Sequence, residues 1–452
     1  MPIFKKGDRS SVTNYRPISL LNTFSKIFES IIATRLNKFL AKYDILYNYQ
    51  FGFRNKHSTK LALLDSIDDI LNSLNDKNYV AAIFLDLSKA FDSLDRDILL
   101  YKLYNYGIRG PMHSWFKSYL SHRSQYVNIN NIQSTLESVD YGVPQGSVLG
   151  PLLFLLYIND IGFIPGLDVN PKNFADDTNI FVCSPNLSEL NHKCQRTIDI
   201  ISGWMLANRL TVNCDKTNYM LFSPSKWSKE SCDLDLKING NHIKKAEVTK
   251  YLGVHVDENL EWKPHIQDLC LSLRKYVGIF YKLSQKLPIK ILKMLYFSLI
   301  HPRILYAIEI YANTYITYLH DLITLNNRIL RILQHKSIHI TNCDLYRSFN
   351  TLPVNKLFQY QILLHAHAIN HHPETLPTIF LNNNHRNKDI HMYNTRASQD
   401  FHRVSIKSAY GNRISSNVYA KLWNLIPMNL NIERSLNTFK RLLKEYISCN
   451  DI

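Results

Sequence analysis

A mixed α+β fold is what this sequence predicts, and three observations carry it. The run Tyr79-Val80-Ala81-Ala82-Ile83-Phe84-Leu85 has no formal charge and reads as a strand buried on both faces. Phe174-Ala175-Asp176-Asp177 lies between Lys172-Asn173 and the apolar run Ile180-Phe181-Val182-Cys183, which reads as strand, turn, strand with two acids at the bend. Around and beyond these strands, apolar residues recur at the helical period.

Taken in order, Phe24, Ile27, Phe28, Ile31, Ile32, Leu36 and Phe39 mark one amphipathic helix, and Leu61, Leu64, Ile67, Ile70, Leu71 and Leu74 a second. The strand 79–85 follows and ends on Asp86, an acid whose burial is costly unless it is paired or metal-bound. Asp95 precedes Ile98, Leu99, Leu100 and Leu103 and fits a helix N-cap, with Asp97 in the first turn where the macrodipole favours acids. Asp92 is open to either a structural or a functional reading. A helix is expected over Ser188–Asn208. Pro264 opens another, with Ile266, Leu269, Leu273, Tyr276, Val277, Phe280 and Leu283 on its apolar face. Further helices are expected over Ile289–Leu299, around Leu319, Leu322, Ile323, Ile329, Leu330 and Leu333, and over 353–371. The Asn- and His-rich stretch 372–400 reads as loop. His367 and His371 stand four apart on a helix, as metal ligands do, but no Glu or Cys completes a site.

The paired acids are the chemical signal. Like charges side by side gain nothing structurally, and both cannot turn into a core. A solvated turn is the plain alternative; holding a divalent metal is the functional one. Side chains alternate along a strand, so only one of Asp176 and Asp177 should face a common metal centre squarely. Asp86 supplies a third carboxylate.

Three motifs then occur in order: Phe84-Leu85-Asp86-Leu87-Ser88-Lys89-Ala90-Phe91-Asp92, Gly142-Val143-Pro144-Gln145-Gly146-Ser147-Val148-Leu149-Gly150-Pro151, and Phe174-Ala175-Asp176-Asp177. Together they resemble palm motifs A, B and C of reverse transcriptases of non-LTR (LINE-type, jockey-like) retrotransposons. Asn14-Tyr15-Arg16-Pro17-Ile18-Ser19-Leu20, Gln50-Phe51-Gly52-Phe53-Arg54, Leu210-Thr211-Val212-Asn213 with Lys216-Thr217, and Tyr251-Leu252-Gly253-Val254 extend the resemblance. It implies a right-hand polymerase: fingers over about 1–78, a ferredoxin-like palm with an antiparallel sheet over about 79–257, a helical thumb over 258–340, and a helical C-terminal region over 341–452. Tyr393-Asn394-Thr395-Arg396 and Lys421-Leu422-Trp423-Asn424-Leu425-Ile426-Pro427 are similar to the tail of jockey-like polyproteins, with no chemistry assigned to them. The chain starts almost on the Lys5-Lys6 strand, so a truncated copy or partial gene is expected. The Cys- and Trp-containing segment usual in the family after the thumb helices is Leu305-Tyr306-Ala307-Ile308-Glu309-Ile310-Tyr311-Ala312 here.

The implied reaction is RNA-directed DNA synthesis. Its partners would be an RNA template, a DNA primer and deoxynucleoside triphosphates, and its cofactor two Mg²⁺ ions, with Mn²⁺ able to substitute. Two ions about 3.5–4 Å apart clamp the attacking and leaving oxygens of an in-line displacement and want hard oxygen ligands. By resemblance Asp86 and Asp176 bridge them, Asp177 is the more weakly engaged carboxylate, and the Leu87 carbonyl completes a coordination sphere. Lys216 resembles the group that protonates pyrophosphate. Lys5, Lys6 and Arg16 resemble the triphosphate-binding fingers hairpin, Arg16 through a planar fork. Phe91 resembles a gate against a ribose 2′-hydroxyl, or else is core. Gln145 and Gly146 would meet the incoming nucleotide, and Tyr251-Leu252-Gly253 resembles a primer grip. Arg328, Arg331 and Lys336 suit phosphate contact on the thumb, or a solvated polar face.

Composition agrees with this. The chain of 452 residues carries 53 Lys and Arg against 37 Asp and Glu, a formal charge of +16, which favours phosphate backbones. Hydrophobic content of 45% implies a sizeable core. Its seven cysteines are scattered without zinc spacing, so a reducing intracellular compartment, nuclear or cytoplasmic, is expected. No run reaches about 18 apolar residues and no signal peptide opens the chain, so no membrane partner is expected. Two competing readings are a silent remnant that only binds nucleic acid and another two-metal palm enzyme such as a nucleotide cyclase; Pro144-Gln145-Gly146-Ser147 and the primer-grip match argue against the cyclase.

Overall fold

In the computed structural model, residues 1–225, 233–337, 339–381, 386–390 and 398–450 are described. The chain opens with a hairpin, β1 (Pro2–Phe4) against β2 (Tyr15–Pro17), and two helices, α1 (Thr23–Lys42) and α2 (Thr59–Asn75). Then come β3 (Tyr79–Leu85), α3 (Arg96–Asn105), α4 (Gly110–Leu120) and a ribbon of short strands, β4 (Arg123–Gln125), β5 (Asn128–Ile129), β6 (Ile132–Gln133) and β7 (Glu137–Val139). Next are α5 (Gly150–Ile158), β8 (Lys172–Phe174), β9 (Asp177–Ser184), α6 (Leu187–Ala207), β10 (Asn218–Phe222), β11 (Lys237–Ile238), β12 (Asn241–His242), β13 (Lys244–Lys245), β14 (Val248–Tyr251) and β15 (Val254–Asp257). The remainder is helical: α7 (Lys263–Ser284), α8 (Ile289–Leu299), α9 (His301–Leu305), α10 (Ile308–Tyr311), α11 (Ile316–Gln334), α12 (Asn342–Phe349), α13 (Val354–His371), α14 (Asn387–Ile390), α15 (Ser415–Trp423), α16 (Met428–Asn431) and α17 (Leu436–Cys449).

Five strands form the central sheet in the order β13-β10-β3-β9-β8. β3 lies at its centre, antiparallel to both neighbours, and β13 joins the edge in parallel. Because side chains alternate along a strand, Val80, Ala82 and Phe84 enter one core while Ala81, Ile83 and Leu85 enter the other. That is why the sequence of β3 is apolar throughout. The second core is closed by α1 and α3–α6. The first holds α2 and runs without a break through α7–α13 to Tyr419, Trp423 and Phe439.

Most expected helices stand where the periodicity put them. Asp95 caps α3 by accepting from the Asp97 and Ile98 amides, and Pro264 lies in the first turn of α7. The apolar face expected for the first helix is corrected. Phe24, Ile27, Phe28 and Ile31 are exposed, and the buried line is Glu29, Ile32, Ala33, Leu36 and Leu40. The reason is a buried acid that turns the helix. Glu29 accepts from the Val148 and Leu149 amides at 2.7 and 3.3 Å and from the Tyr119 hydroxyl at 3.0 Å, so it caps the start of α5 from another element. The His367–His371 pair is structural: their Nε2 atoms meet the Glu433 and Asn431 carbonyls, and His367 stacks on Phe439 at 4.2 Å. Trp423 and Ile426 of the polyprotein-like tail segment are core residues. Tyr393–Arg396 lies outside the described residues.

Helix α2 ties the sheet to the C-terminal third. Asn75 accepts from the Lys407 and Ser408 amides and donates to the Ser405 carbonyl, and Lys60 pairs with the buried Glu309. Asp68 accepts from both the amide and the hydroxyl of Ser415. Burial pushes the Asp68 carboxyl up to about 7, against the Ser415 hydrogen bonds. A raised carboxyl favours the protonated form in the fold, so stability falls as pH rises from near 4 through 7. Asp68→Asn should remove this loss. Thermal unfolding at pH 5 and pH 8 should show the wild-type chain losing roughly 2–3 kcal/mol more than the variant across that interval, since each tenfold difference in proton affinity between folded and unfolded chain is worth about 1.36 kcal/mol.

Candidate active site

The acids meet at one end of the sheet because of register. β3 pairs with β9 through Leu85↔Thr178, and β9 turns back into β8 through Phe174↔Asp177. One step further along the first ladder, Asp86 stands across from Asp177, with Asp176 in the two-residue turn. That turn needs a left-handed residue, supplied by Ala175 at φ 57°. Burial, then the Asp86 charge, raise the Asp176 carboxyl, which Arg16 and Lys216 offset in part. Burial of the turn and the Asp176 and Asp86 charges push Asp177 up to about 6. Asp177 still meets solvent, so the two like charges are the firmer cause.

Lys216 answers this charge directly, its Nζ donating to Asp86 Oδ2 at 3.0 Å. The segment carrying it is fixed by backbone: the Asn213 amide donates to the Asp86 carbonyl and the Ser88 amide to the Thr211 carbonyl. This bridge uses the groups of Asp86 and Ser88 and leaves the Leu87 carbonyl out of the ladder. Three carboxylates and a spare carbonyl are hard oxygen donors that fit a divalent cation of the Mg²⁺ type. Among the described residues, no group of three or more His, Cys, Asp or Glu side chains stands close enough together to hold a metal ion as arranged here. Lys216 occupies one oxygen of Asp86 instead.

The segment Gln50–Arg54 proves to be the buttress of the acid turn, a role its sequence does not announce. The Phe51 amide donates to the Asn173 carbonyl and the Asn173 amide to the Tyr49 carbonyl. Gln50 Oε1 accepts from the Gly52 amide at 2.8 Å and the Ala175 amide at 3.2 Å. Gly52 approaches so closely that a Cβ there would sit 2.3 Å from the Ala175 nitrogen. Glu29, missed for the same reason, holds the loop of the second motif from behind; only a long-range contact could have revealed either.

Arg16 stands exposed on β2, within electrostatic reach of Asp176, while Lys5 and Lys6 lie exposed in the turn of the same hairpin. The hairpin joins the second motif where the Ser19 amide donates to the Gln145 carbonyl, and Gly146 lies against the Ser19 carbonyl. The Gln145 side chain donates to Asp92 Oδ1 at 2.8 Å, which gives Asp92 its role. Phe91 is half-buried, stacked on the fully buried Phe154 at 4.5 Å and edge-on to Phe53 at 6.4 Å. Tyr251 faces inward, 4% exposed against Phe84, so its ring is unavailable to a primer. The rest of that motif is the β14–β15 turn, with Leu252 half-buried at φ 44° and Gly253 exposed at φ 83°, where the Tyr306 hydroxyl donates to the Leu252 carbonyl. Arg328 and Lys336 are exposed; Arg331 is half-buried and donates to Asn342. No helix among the described residues is long and apolar enough to cross a membrane.

Residues 3–256 match the reverse transcriptase (RNA-dependent DNA polymerase) family. The chain belongs to that family. It is 29% identical to the probable RNA-directed DNA polymerase from transposon BS of Drosophila melanogaster, over 77% of this chain and 39% of that protein. It is 27% identical to the polymerase of the mobile element jockey from the same fly, over 81% and 40% respectively, and 30% identical to the probable polymerase of its X-element transposon, over 75% and 38%. The chain thus spans about two fifths of the length of these relatives.

The buttress yields a sharp expectation. Gly52→Ala forces a methyl against the backbone of the acid turn, where nothing flexible can give way. The turn must shift, and a displacement of about 1 Å at a reacting centre costs on the order of a hundredfold in rate. Under the polymerase reading proposed below, primer extension should fall by about that factor while circular dichroism stays native.

Proposed function

We propose that this chain is the polymerase part of a jockey-like non-LTR retrotransposon protein, extending a DNA primer on an RNA template with deoxynucleotides. The observation that carries this reading is the β3–β9 register, which brings Asp86, Asp176 and Asp177 to one sheet end beside Lys216 and Arg16. In this reading the fingers are residues 1–78, the palm 79–257 and the thumb 258–340, with the described residues beyond 340 packed onto the thumb and α2.

The carboxylates and the Leu87 carbonyl would hold divalent metal, Mg²⁺ foremost, which supplies charge neutralisation at the transferring phosphoryl group and lowers the pKa of the attacking hydroxyl. The chain's own groups do the rest. Arg16 presents a planar fork to the triphosphate, with Lys5 and Lys6 as mobile charges on the same hairpin. Lys216, now on Asp86, exchanges that carboxylate for a phosphate oxygen when the acid is otherwise engaged, and its ammonium can give a proton to departing pyrophosphate. Phe91 closes the pocket beside the sugar, its position fixed by Phe154. Gln145, held by Asp92, presents the loop whose backbone lines that pocket. Leu252 and Gly253 offer the turn that meets the primer.

Two outcomes test this. Asp176→Asn should bind an RNA-templated primer duplex nearly as well as the parent chain, because basic residues hold the duplex by counterion release. Its single-turnover extension should fall by several powers of ten, at about 1.36 kcal/mol each. If both chains bind equally and neither extends, the chain is a silent nucleic-acid binder. Phe91→Ala should raise ribonucleotide incorporation, and should also cost about 3 kcal/mol of stability, the low end for a ring that is only half-buried, because it strips one ring from the Phe154 stack. Unchanged discrimination with that loss would make the ring purely structural.

A further inference from the structure

A cleft of about 380 Å³ opens between α8, α9, α13 and α17, away from the acid turn. Its walls are apolar and aromatic, with Phe297, Leu305 and Tyr360 half-buried around His301, and Lys440 and Lys444 stand along one side. No carboxylate lines it. Among the described residues no acid pairs with either lysine; Lys444 donates to the Asn350 carbonyl, and the Tyr360 hydroxyl contacts the Lys440 carbonyl. Lys293 adds a third positive charge close to Lys444 and over the Phe349 ring at 6.0 Å. Burial and that neighbouring charge hold the Lys444 ammonium below its ordinary range, and burial pushes His301 down to about 4. The imidazole is therefore neutral at pH 7 and available as a flat ring and hydrogen-bonding partner.

A volume of this size is that of a small-ligand pocket. Aromatic walls with uncompensated cations along one side suit a flat, apolar ring attached to an anion. A nucleotide has that form: bases stack on aromatic side chains while lysines follow the phosphates. The cleft also has a structural link to the proposed primer site. Its α9 wall leads directly into Tyr306, whose hydroxyl donates to the Leu252 carbonyl.

We propose that this cleft binds one unpaired nucleotide of a single-stranded nucleic acid, the base between Tyr360 and the Phe297–His301 ring pair, whose centroids lie 4.9 Å apart, and its phosphate at Lys440 and Lys444. From the proposed function it takes only that nucleic acid is the ligand. The polyanion could be RNA or DNA, and the two are separated by the probes.

The test uses the full chain with short oligonucleotides carrying a single 4-thiouridine, or 4-thiothymidine in the DNA form, followed by irradiation and peptide mapping. Crosslinks are expected on the α8–α9 or α13 walls of the cleft. In parallel, Lys440→Ala should lower affinity for the single strand about tenfold, the scale of one stacked and charge-anchored base, and leave blunt duplex affinity nearly unchanged. Tyr360→Leu should do the same, with its unfolding midpoint measured; if it fails to fold, the Lys440 variant and the crosslinks still decide. Crosslinks confined to other regions, or equal losses for single strand and duplex in Lys440→Ala, overturn the proposal. Primer extension run alongside keeps the two readings apart: a chain that extends yet gives no crosslink in the cleft loses this site and keeps its polymerase assignment.

Discussion

The pairing of β3 with β9 in the register Leu85↔Thr178 is the constraint on which the candidate site depends. A slip of one residue would send each side chain of β3 to the opposite face, moving Val80, Ala82 and Phe84 into the wrong core. It would also take Asp86 away from Asp177. The burial of β3 on both faces that stabilises the sheet therefore also holds the register, and with it the acids. Three carboxylates so placed repel one another, and burial together with that repulsion raises the Asp176 and Asp177 carboxyls. That repulsion is tolerable only with cations at hand, and Lys216 and Arg16 are the ones the chain itself supplies.

Two further layers hold this end of the sheet. Gln50 and Gly52 clamp the acid turn from the β8 side, and Glu29 sets the start of α5 and with it the loop that ends in Gln145 and Gly146. Behind the sheet, α2 is shared between the strands and the C-terminal helices. Asp68, Asn75 and Lys60 on that one helix reach Ser415, residues 405–408 and Glu309. The C-terminal third is thereby part of the scaffold that supports the site.

Much of this is legible in the sequence. A strand apolar at every position has to be central, and it is. Asp95, with its helix start, and the apolar faces of α2 and α7 are local patterns that need no distant partner to be read. Expectation and structure part where a distant partner overrides the local pattern. The exposed Phe24, Ile27, Phe28 and Ile31 carry a perfect-looking apolar stripe, yet a single buried Glu29 with three donors on other elements decides which face turns inward. Tyr251 sits in a motif that resembles a primer contact, but the alternation of β14 sends its ring into the core and leaves Gly253 as the exposed residue of the motif. Gln50 and Gly52 are visible as a motif without a job, because their job is to touch residues 173–175, more than a hundred positions away. The His367–His371 spacing invites a metal; the Glu433 and Asn431 carbonyls take those rings instead.

Asp86, Asp176 and Asp177 are proposed to form one divalent-cation centre set by strand register. Iron-directed cleavage tests it without relying on turnover. With Fe²⁺ and ascorbate, hydroxyl radicals cut the backbone beside the bound ion, so fragments should end near Asp86 and near Asp176–Asp177 together. Excess Mg²⁺ should suppress both sets of cuts, and Asp86→Asn should weaken the cuts at Asp176–Asp177 as well as its own. Cleavage at only one of the two segments, or cuts at Asp176–Asp177 that survive Asp86→Asn unchanged, would contradict a shared centre.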